Sequence, residues 1–287
     1  MSDNNCTDPK KNCEGCDVEN CSLRRNTPPQ IQKKQPGLSS HIRKIVGVLS
    51  GKGGVGKSFV TTTLAVELAR KGFRVGIMDA DITGPSVPRL LNVHDRAYGS
   101  DKEIYPCVTE KYGIKVISVN LMLESEDTPV LWRGPIVSGI VDQFFTDTLW
   151  GELDYLLIDM PPGTSDVALT VLQDIPLDGL LMVSTPSRLV SMVVSKAIVM
   201  AGKTDVPVLG LVDNMAYVRC EECGHEIHLY KEDDCERIAE TYGLPILARL
   251  PLDAELSSLS DEGKIEEYEG CFHEKTIELL ESLKKEG

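Results

Sequence analysis

No apolar run in the 287-residue sequence approaches the roughly 20 residues a membrane-spanning helix needs. The N-terminus, MSDNNCTDPKKNCEGC, is polar from its first residue and lacks the apolar stretch of a secretory signal, so the cytoplasm is the expected compartment. Clustered basic charge is also scarce. The chain carries 30 Lys and Arg against 44 Asp and Glu, a net charge of −14. Its densest basic stretches, Arg24–Arg25, Lys33–Lys34 and Lys284–Lys285, are short. Such a chain repels phosphate backbones, so no nucleic-acid partner is expected. The C-terminal HEKTIELLESLKKEG mixes acid and base without a strongly apolar, cationic face, so no membrane partner is expected. There is no internal repeat and no low-complexity tract.

What is present begins with cysteine. There are nine, many for a compartment that disfavours disulfides. Random placement would give about 0.3 C-x-x-C pairs, yet two occur, at 13/16 and 220/223. That excess points to metal or redox chemistry. Cys6, Cys13, Cys16 and Cys21 form one group, and Cys220 and Cys223 a second with Cys235 nearby. Cys107 and Cys271 stand alone.

Residues 1–40 are polar and end in Pro28, Pro29, Pro36 and Gly37, which reads as a Cys-rich extension, a metal-site candidate, followed by a linker. From residue 41 to 287, short apolar runs alternate with amphipathic stretches. Strands are expected at 44–50, 73–79, 115–120, 154–159, 179–185, 206–214 and 245–250, mostly as continuous apolar runs covered on both faces. Helices are expected at 58–70, 137–149, 166–172, 187–201 and 234–242, the first with Val60, Leu64 and Leu68 on one face and Gly72 as its stop. Met192 and Met200 read as core. The alternation implies an α/β fold: a doubly wound, mostly parallel sheet flanked by helices, with a Cys-bearing insertion near 215–235.

The segment GKGGVGKS, Gly51, Lys52, Gly53, Gly54, Val55, Gly56, Lys57 and Ser58, matches G-x-x-x-x-G-K-[ST] between a strand and a helix. Glycines let backbone N–H groups curl around phosphate oxygens, and the helix start adds its positive end. Lys57 then bridges the terminal phosphates and the Ser58 hydroxyl ligates Mg²⁺, so ATP is the expected nucleotide. LLIDMPPG ends a strand at Asp159, where a Walker-B carboxylate belongs. Pro161, Pro162 and Gly163 follow as a turn suited to sensing nucleotide.

With its second lysine, Lys52, the loop resembles that of the deviant P-loop ATPases, which include MinD, ParA and the nitrogenase iron protein. The resemblance implies an ATP-dependent homodimer in which Lys52 reaches the other subunit's nucleotide; the alternative is a second cation on the same phosphates. It also implies that Asp81, in DADITGPS, positions the attacking water, with Asp79 near the Mg²⁺; the alternative for either is a helix cap or loop carboxylate. Asn214 matches the base-contacting asparagine of that group, the alternative being a turn-forming residue.

DADITGPS, WRGP (132–135), IDMPPGTSD, VDNMAY and the C-x-x-C together resemble the Mrp/ApbC-type family of iron–sulfur carrier ATPases over residues 42–270. The resemblance implies that Cys220 and Cys223 of two subunits jointly hold one 4Fe–4S cluster, delivered to apo iron–sulfur proteins. Two thiolates per chain leave a four-ligand site half complete, and a symmetric dimer supplies the rest. The competing reading is structural zinc on Cys220, Cys223, His225 and His228, a spacing too tight for the usual separated ligand pairs. Cys235 and both histidines are left as loop or core residues. Cys6, Cys13, Cys16 and Cys21 resemble the N-terminal cluster motif of the nucleotide-binding-protein branch, which implies a second 4Fe–4S cluster; the alternative is a tail of reactive thiols. The reading is therefore an ATP-hydrolysing cluster carrier. A MinD- or ParA-like positioning ATPase and a zinc-stabilised regulatory ATPase are its rivals.

Overall fold

A computed structural model describes residues 33–100, 103–123, 134–220, 222–228, 230 and 234–283. Cys6, Cys13, Cys16 and Cys21, and also Trp132 and Arg133, lie outside the described residues. In chain order the elements are β1 (His41–Ser50), α1 (Lys57–Arg70), β2 (Val75–Asp79), α2 (Val87–Leu90), β3 (Tyr98–Gly99), β4 (Ile104–Tyr105), β5 (Cys107–Val108), β6 (Lys115–Ile117), α3 (Gly134–Thr146), β7 (Glu152–Asp159), α4 (Asp166–Asp174), β8 (Gly179–Ser184), α5 (Arg188–Lys203), β9 (Val208–Arg219), β10 (Glu226–Ile227), α6 (Asp234–Tyr242), β11 (Ile246–Pro251), α7 (Ala254–Asp261) and α8 (Glu274–Ser282). Among the described residues, no helix is long and apolar enough to cross a membrane.

The main sheet runs β11-β9-β8-β1-β7-β2-β6 in parallel. β5 closes one edge antiparallel to β6, and β10 forms a hairpin with the end of β9. Every residue of β1 from Lys44 to Ser50 is buried, as its unbroken apolar run requires of a strand covered on both faces. One core layer packs α3, α4, α5 and α6 through Val141, Phe144, Val171, Val194 and Ile238. The other packs α1, α2, α7 and α8 through Leu64, Leu68, Val87, Leu256 and Ile277. The helical stop at Gly72 is realised with φ 89°, a left-handed conformation glycine adopts without strain. The strand expected at 115–120 stops at Ile117 and gives way to a 3-10 turn over Val119–Leu121; Met192 is 60 % exposed and not core, because the buried stripe of α5 passes through Val194, Ala197 and Ala201 instead.

The segment expected as a linker is tied down over 33–40. The Lys33 ammonium donates to the Leu172 carbonyl, the Lys34 N–H donates to the Asp174 carbonyl, and the Lys34 ammonium pairs with Asp142 and Asp174.

On the opposite layer, buried Glu67 of α1 accepts from the N–H groups of Phe272 (2.8 Å) and His273 (3.0 Å) and from the Cys271 thiol. The His273 ring meets the Thr63 hydroxyl at 3.0 Å and is fully buried. Burial lowers its pKa to about 4, against a pull upward from Glu67. A histidine depressed in the folded state costs nothing above its unfolded pKa; stability is lost as pH falls from there towards the folded value. The contribution of His273 to unfolding free energy is therefore expected to be about 2 kcal/mol lower near pH 5 than near pH 7.5, opposed by the buried carboxyls of Asp79 and Asp81, which are raised. Denaturant melts of wild type and His273→Gln at the two pH values check this: between pH 7.5 and pH 5 the wild type should lose about 2 kcal/mol relative to the variant.

Candidate functional site

The carboxyl ends of β1, β2 and β7 are neighbours, so three loops converge on one crevice. The loop after β1 starts at Gly51, where a Cβ would come within 2.5 Å of the Val194 backbone nitrogen, so only glycine lets α5 approach. Gly54 (φ 80°) and Gly56 (φ 77°) adopt left-handed conformations that curl the backbone before α1 begins at Lys57.

Lys57 is buried, with its ammonium 2.7 Å from Asp159 Oδ2 and 3.7 Å from Asp81 Oδ2. The Asp159 contact is close but off the hydrogen-bonding angle, so the ammonium keeps unspent donors in a dry site. A buried cation with donors to spare at the mouth of a glycine-rich loop and a helix N-terminus fits a polyphosphate. Asp159 is held on both oxygens: the Ser58 hydroxyl donates to Oδ2 at 2.5 Å and the Thr61 hydroxyl to Oδ1 at 2.9 Å. Asp79, level with Asp159 across the β2–β7 ladder, accepts from the Asp81 N–H (3.2 Å) and the Ser118 hydroxyl (3.1 Å). Burial, and then the charge of Asp159, push the Asp79 carboxyl well above the usual carboxylate range. Burial also raises Asp81, against the pull of Lys57. Three acids facing one lysine make a site short of positive charge, which suits a hard divalent cation. Among the described residues no three Cys, His, Asp or Glu side chains converge on one point, so such an ion would take its remaining ligands from the Ser58 hydroxyl, phosphate oxygens and water.

The turn after β7 leans on the phosphate loop. The Gly163 N–H donates to the Ser50 carbonyl (2.7 Å), and Ser165 caps α4 by accepting from the Ala168 N–H (3.2 Å). Lys52, in contrast to Lys57, is exposed.

Asn214 lies buried inside β9, not at a turn, and its side-chain amide donates to the Val55 carbonyl at 2.9 Å. It borders a cavity of about 370 Å³ beside the phosphate loop, lined also by Phe59, Met215, Pro251, Leu252 and Asp253. The cavity has room for a nucleoside. Sequence reasoning missed Met215 and the Pro251–Asp253 segment. The usable signal was a strand ending in a proline–leucine–aspartate turn at the same sheet end as the phosphate loop.

The C-x-x-C sits on the hairpin of β9 and β10. The Gly224 N–H donates to the Cys220 carbonyl (2.8 Å), and Gly224 has φ 70°. Cys220 is half-buried and Cys223 exposed; neither is in a disulfide. His225 and His228 are exposed, and the four do not close on one metal position as the zinc reading requires. Cys235 is a core residue of α6.

A family profile of the ParA type, described as NUBPL iron-transfer P-loop NTPase, matches residues 41–284. An iron–sulfur cluster carrier protein of Clostridium perfringens is 50 % identical over 236 residues, covering 79 % of this chain and 82 % of its own. One of Methanococcus maripaludis is 37 % identical over 283 residues, covering 96 % and 98 %. A solved nucleotide-binding protein of Archaeoglobus fulgidus in complex with ADP is 44 % identical, with a TM-score of 0.71 over 80 % of this chain and 90 % of its own. The cell-division ATPase MinD of Pyrococcus furiosus, at 22 % identity and a TM-score of 0.59, shares the fold.

Proposed function

Because the chain belongs to the family of NUBPL iron-transfer P-loop NTPases, we propose that it is an ATP-hydrolysing homodimer that carries a 4Fe–4S cluster and delivers it to apo iron–sulfur proteins in the cytoplasm. The observation that carries the reading is the two-thiol hairpin on a chain with a complete phosphate site. Cys220 and Cys223 offer two thiolates, and among the described residues no third ligand joins them, so each chain brings half of what a cluster needs. Relatives at 37–50 % identity named iron–sulfur cluster carrier proteins support it.

In this reading Lys57 neutralises the terminal phosphates, and Ser58 and Asp159 hold the magnesium with Asp79 beside them. Bound magnesium supplies the positive charge this acidic site lacks. Asp81 orients the attacking water. Exposed Lys52 is available to the partner's nucleotide, and the Asn214 side contacts the base. The turn at Pro161–Gly163 senses the phosphate chain through its contact with the phosphate loop. Asp81→Asn is expected to cut ATP turnover roughly 100-fold while leaving nucleotide affinity within about threefold, since the water-orienting role is lost and the phosphate cradle is kept. Steady-state hydrolysis and nucleotide titration check it. For the N-terminal group Cys6, Cys13, Cys16 and Cys21, we infer a second cluster held within one chain, which is tested by metal analysis with and without residues 1–32.

The test of the carrier function is transfer. Anaerobically loaded protein mixed with an apo-ferredoxin should convert it to the holo form, with the donor losing iron and sulfide in step. Retention of the cluster by the donor would defeat the reading. The positioning-ATPase rival predicts ATP-dependent sedimentation with DNA or liposomes instead.

A further inference from the structure

A second cavity, of about 380 Å³, lies between the loop after α2, the turn after β5 and the turn after α7. It neighbours the base cavity without merging with it: Leu90 and Asp261 line the base cavity, whereas Leu91 and Gly263 line this one. Its walls are closely fitted. Gly263 has φ 71° and stands so near α2 that a Cβ there would lie 2.8 Å from the Arg89 carbonyl oxygen. Asn92, beside it, is itself left-handed at φ 52°.

One wall carries a buried carboxylate, that of Glu266, a residue only 8 % exposed. The Thr109 hydroxyl, buried and fixed by accepting from the Ile114 N–H at 3.0 Å, donates to Glu266 Oε1 at 2.7 Å. Among the described residues, none donates to Oε2 and no lysine, arginine or histidine pairs with the carboxylate. The two lysines that line the cavity are engaged elsewhere. The Lys111 ammonium donates to the Glu266 backbone carbonyl at 2.9 Å, and the Lys264 ammonium pairs with Glu262 at 2.8 Å. Asp95, Glu110 and Glu267 also line the space, so its charge balance is negative. A carboxylate withdrawn from water with no cation opposite it is costly to the isolated chain. Aimed by a hydroxyl and bordering a cavity, it is what a cationic ligand needs.

We propose that this cavity binds a ligand carrying a primary ammonium or guanidinium group, with the Glu266 carboxylate as its anchor. A metal ion is the wrong cation here, since among the described residues no three Cys, His, Asp or Glu side chains converge on one point. An ammonium or guanidinium takes its charge partner from a single carboxylate, and its remaining N–H groups suit the acids around it. The volume admits a group of amino-acid size. Two sources supply this chemistry: a free polyamine, and a lysine or arginine side chain presented by a docked protein. The site uses no residue of the phosphate loop or of the thiol hairpin, so it stands independently of the carrier reading.

The test titrates the full chain by calorimetry at physiological ionic strength. The probes are putrescine, lysine and arginine capped at both backbone ends, and capped norleucine as the uncharged control. Wild type is expected to bind at least one cationic probe with a dissociation constant below about 1 mM, and not to bind norleucine. Glu266→Gln keeps the side-chain shape and the Thr109 contact, and should weaken binding at least roughly tenfold by removing one member of a charge-assisted pair. Val108→Trp, at the exposed rim, leaves every charge in place and should weaken binding by blocking entry. Equal melting temperatures and equal ATP affinity would show that the variants are folded. Tighter binding of capped lysine or arginine than of putrescine supports the site with a protein side chain as its occupant. The reverse order supports it with a free polyamine. Binding of no cationic probe by wild type, equal binding of norleucine, or unchanged affinity in either folded variant overturns the proposal.

Discussion

Lys57→Ala is expected to abolish ATP hydrolysis, with turnover falling at least about 1000-fold and Mg²⁺-dependent nucleotide binding lost with it. The size follows from where the ammonium sits. It is buried and held between Asp159 and Asp81, and its donors are not spent on either. A charge kept dry in this way interacts with phosphate far more strongly than a surface lysine does. Its loss also leaves the acidic side chains of the crevice without the cation that balances them. Hydrolysis assays and isothermal titration with ATP, with and without magnesium, measure both effects. Lys52→Ala separates the two lysines. Because Lys52 is exposed, nucleotide should still bind one subunit, and hydrolysis should fail through the missing partner contact.

The second large effect concerns the hairpin. Cys220→Ala or Cys223→Ala alone is expected to bring bound iron and sulfide down to the level contributed by residues 1–32, and to that of a blank when those residues are also removed. A dimer of either variant offers two thiolates in place of four, and a cluster with two ligands missing is open to water and chelators. ATP binding should survive, since no phosphate-site residue lies on the hairpin. Cys235→Ala should leave iron binding unchanged, because that thiol is buried in the core beneath α6. Its expected cost is one of packing. A result in which Cys235→Ala strips iron and Cys223→Ala does not would reverse the assignment of ligands.

The parts of the molecule that were legible in advance are those whose information is local. The phosphate loop is a contiguous motif between a strand and a helix, and its glycines occupy the left-handed conformations such a loop demands. Asp159 and Asp79 were legible because each ends an apolar run, and parallel strands bring run ends to one edge of the sheet. Pairing across the sheet was not legible. That Ser118 holds Asp79, or that Thr61 holds the second oxygen of Asp159, depends on which strands become neighbours. The end of β9 was read at Asn214, yet the strand continues to Arg219. Met215 there has φ 56°, and the ladder to β11 slips between Arg249 and Pro251, so the interruption is real but does not stop the strand. Met192 was misplaced because helical spacing alone does not say which stripe of α5 meets the sheet.

The most direct measurement is the cluster content of the chain without residues 1–32 against its mass in solution. Anaerobically reconstituted protein lacking residues 1–32 should contain four iron and four sulfide per two chains, in a species sedimenting as a dimer. Zinc without sulfide, or iron bound to a monomer, would contradict the shared two-thiol site on which the account rests.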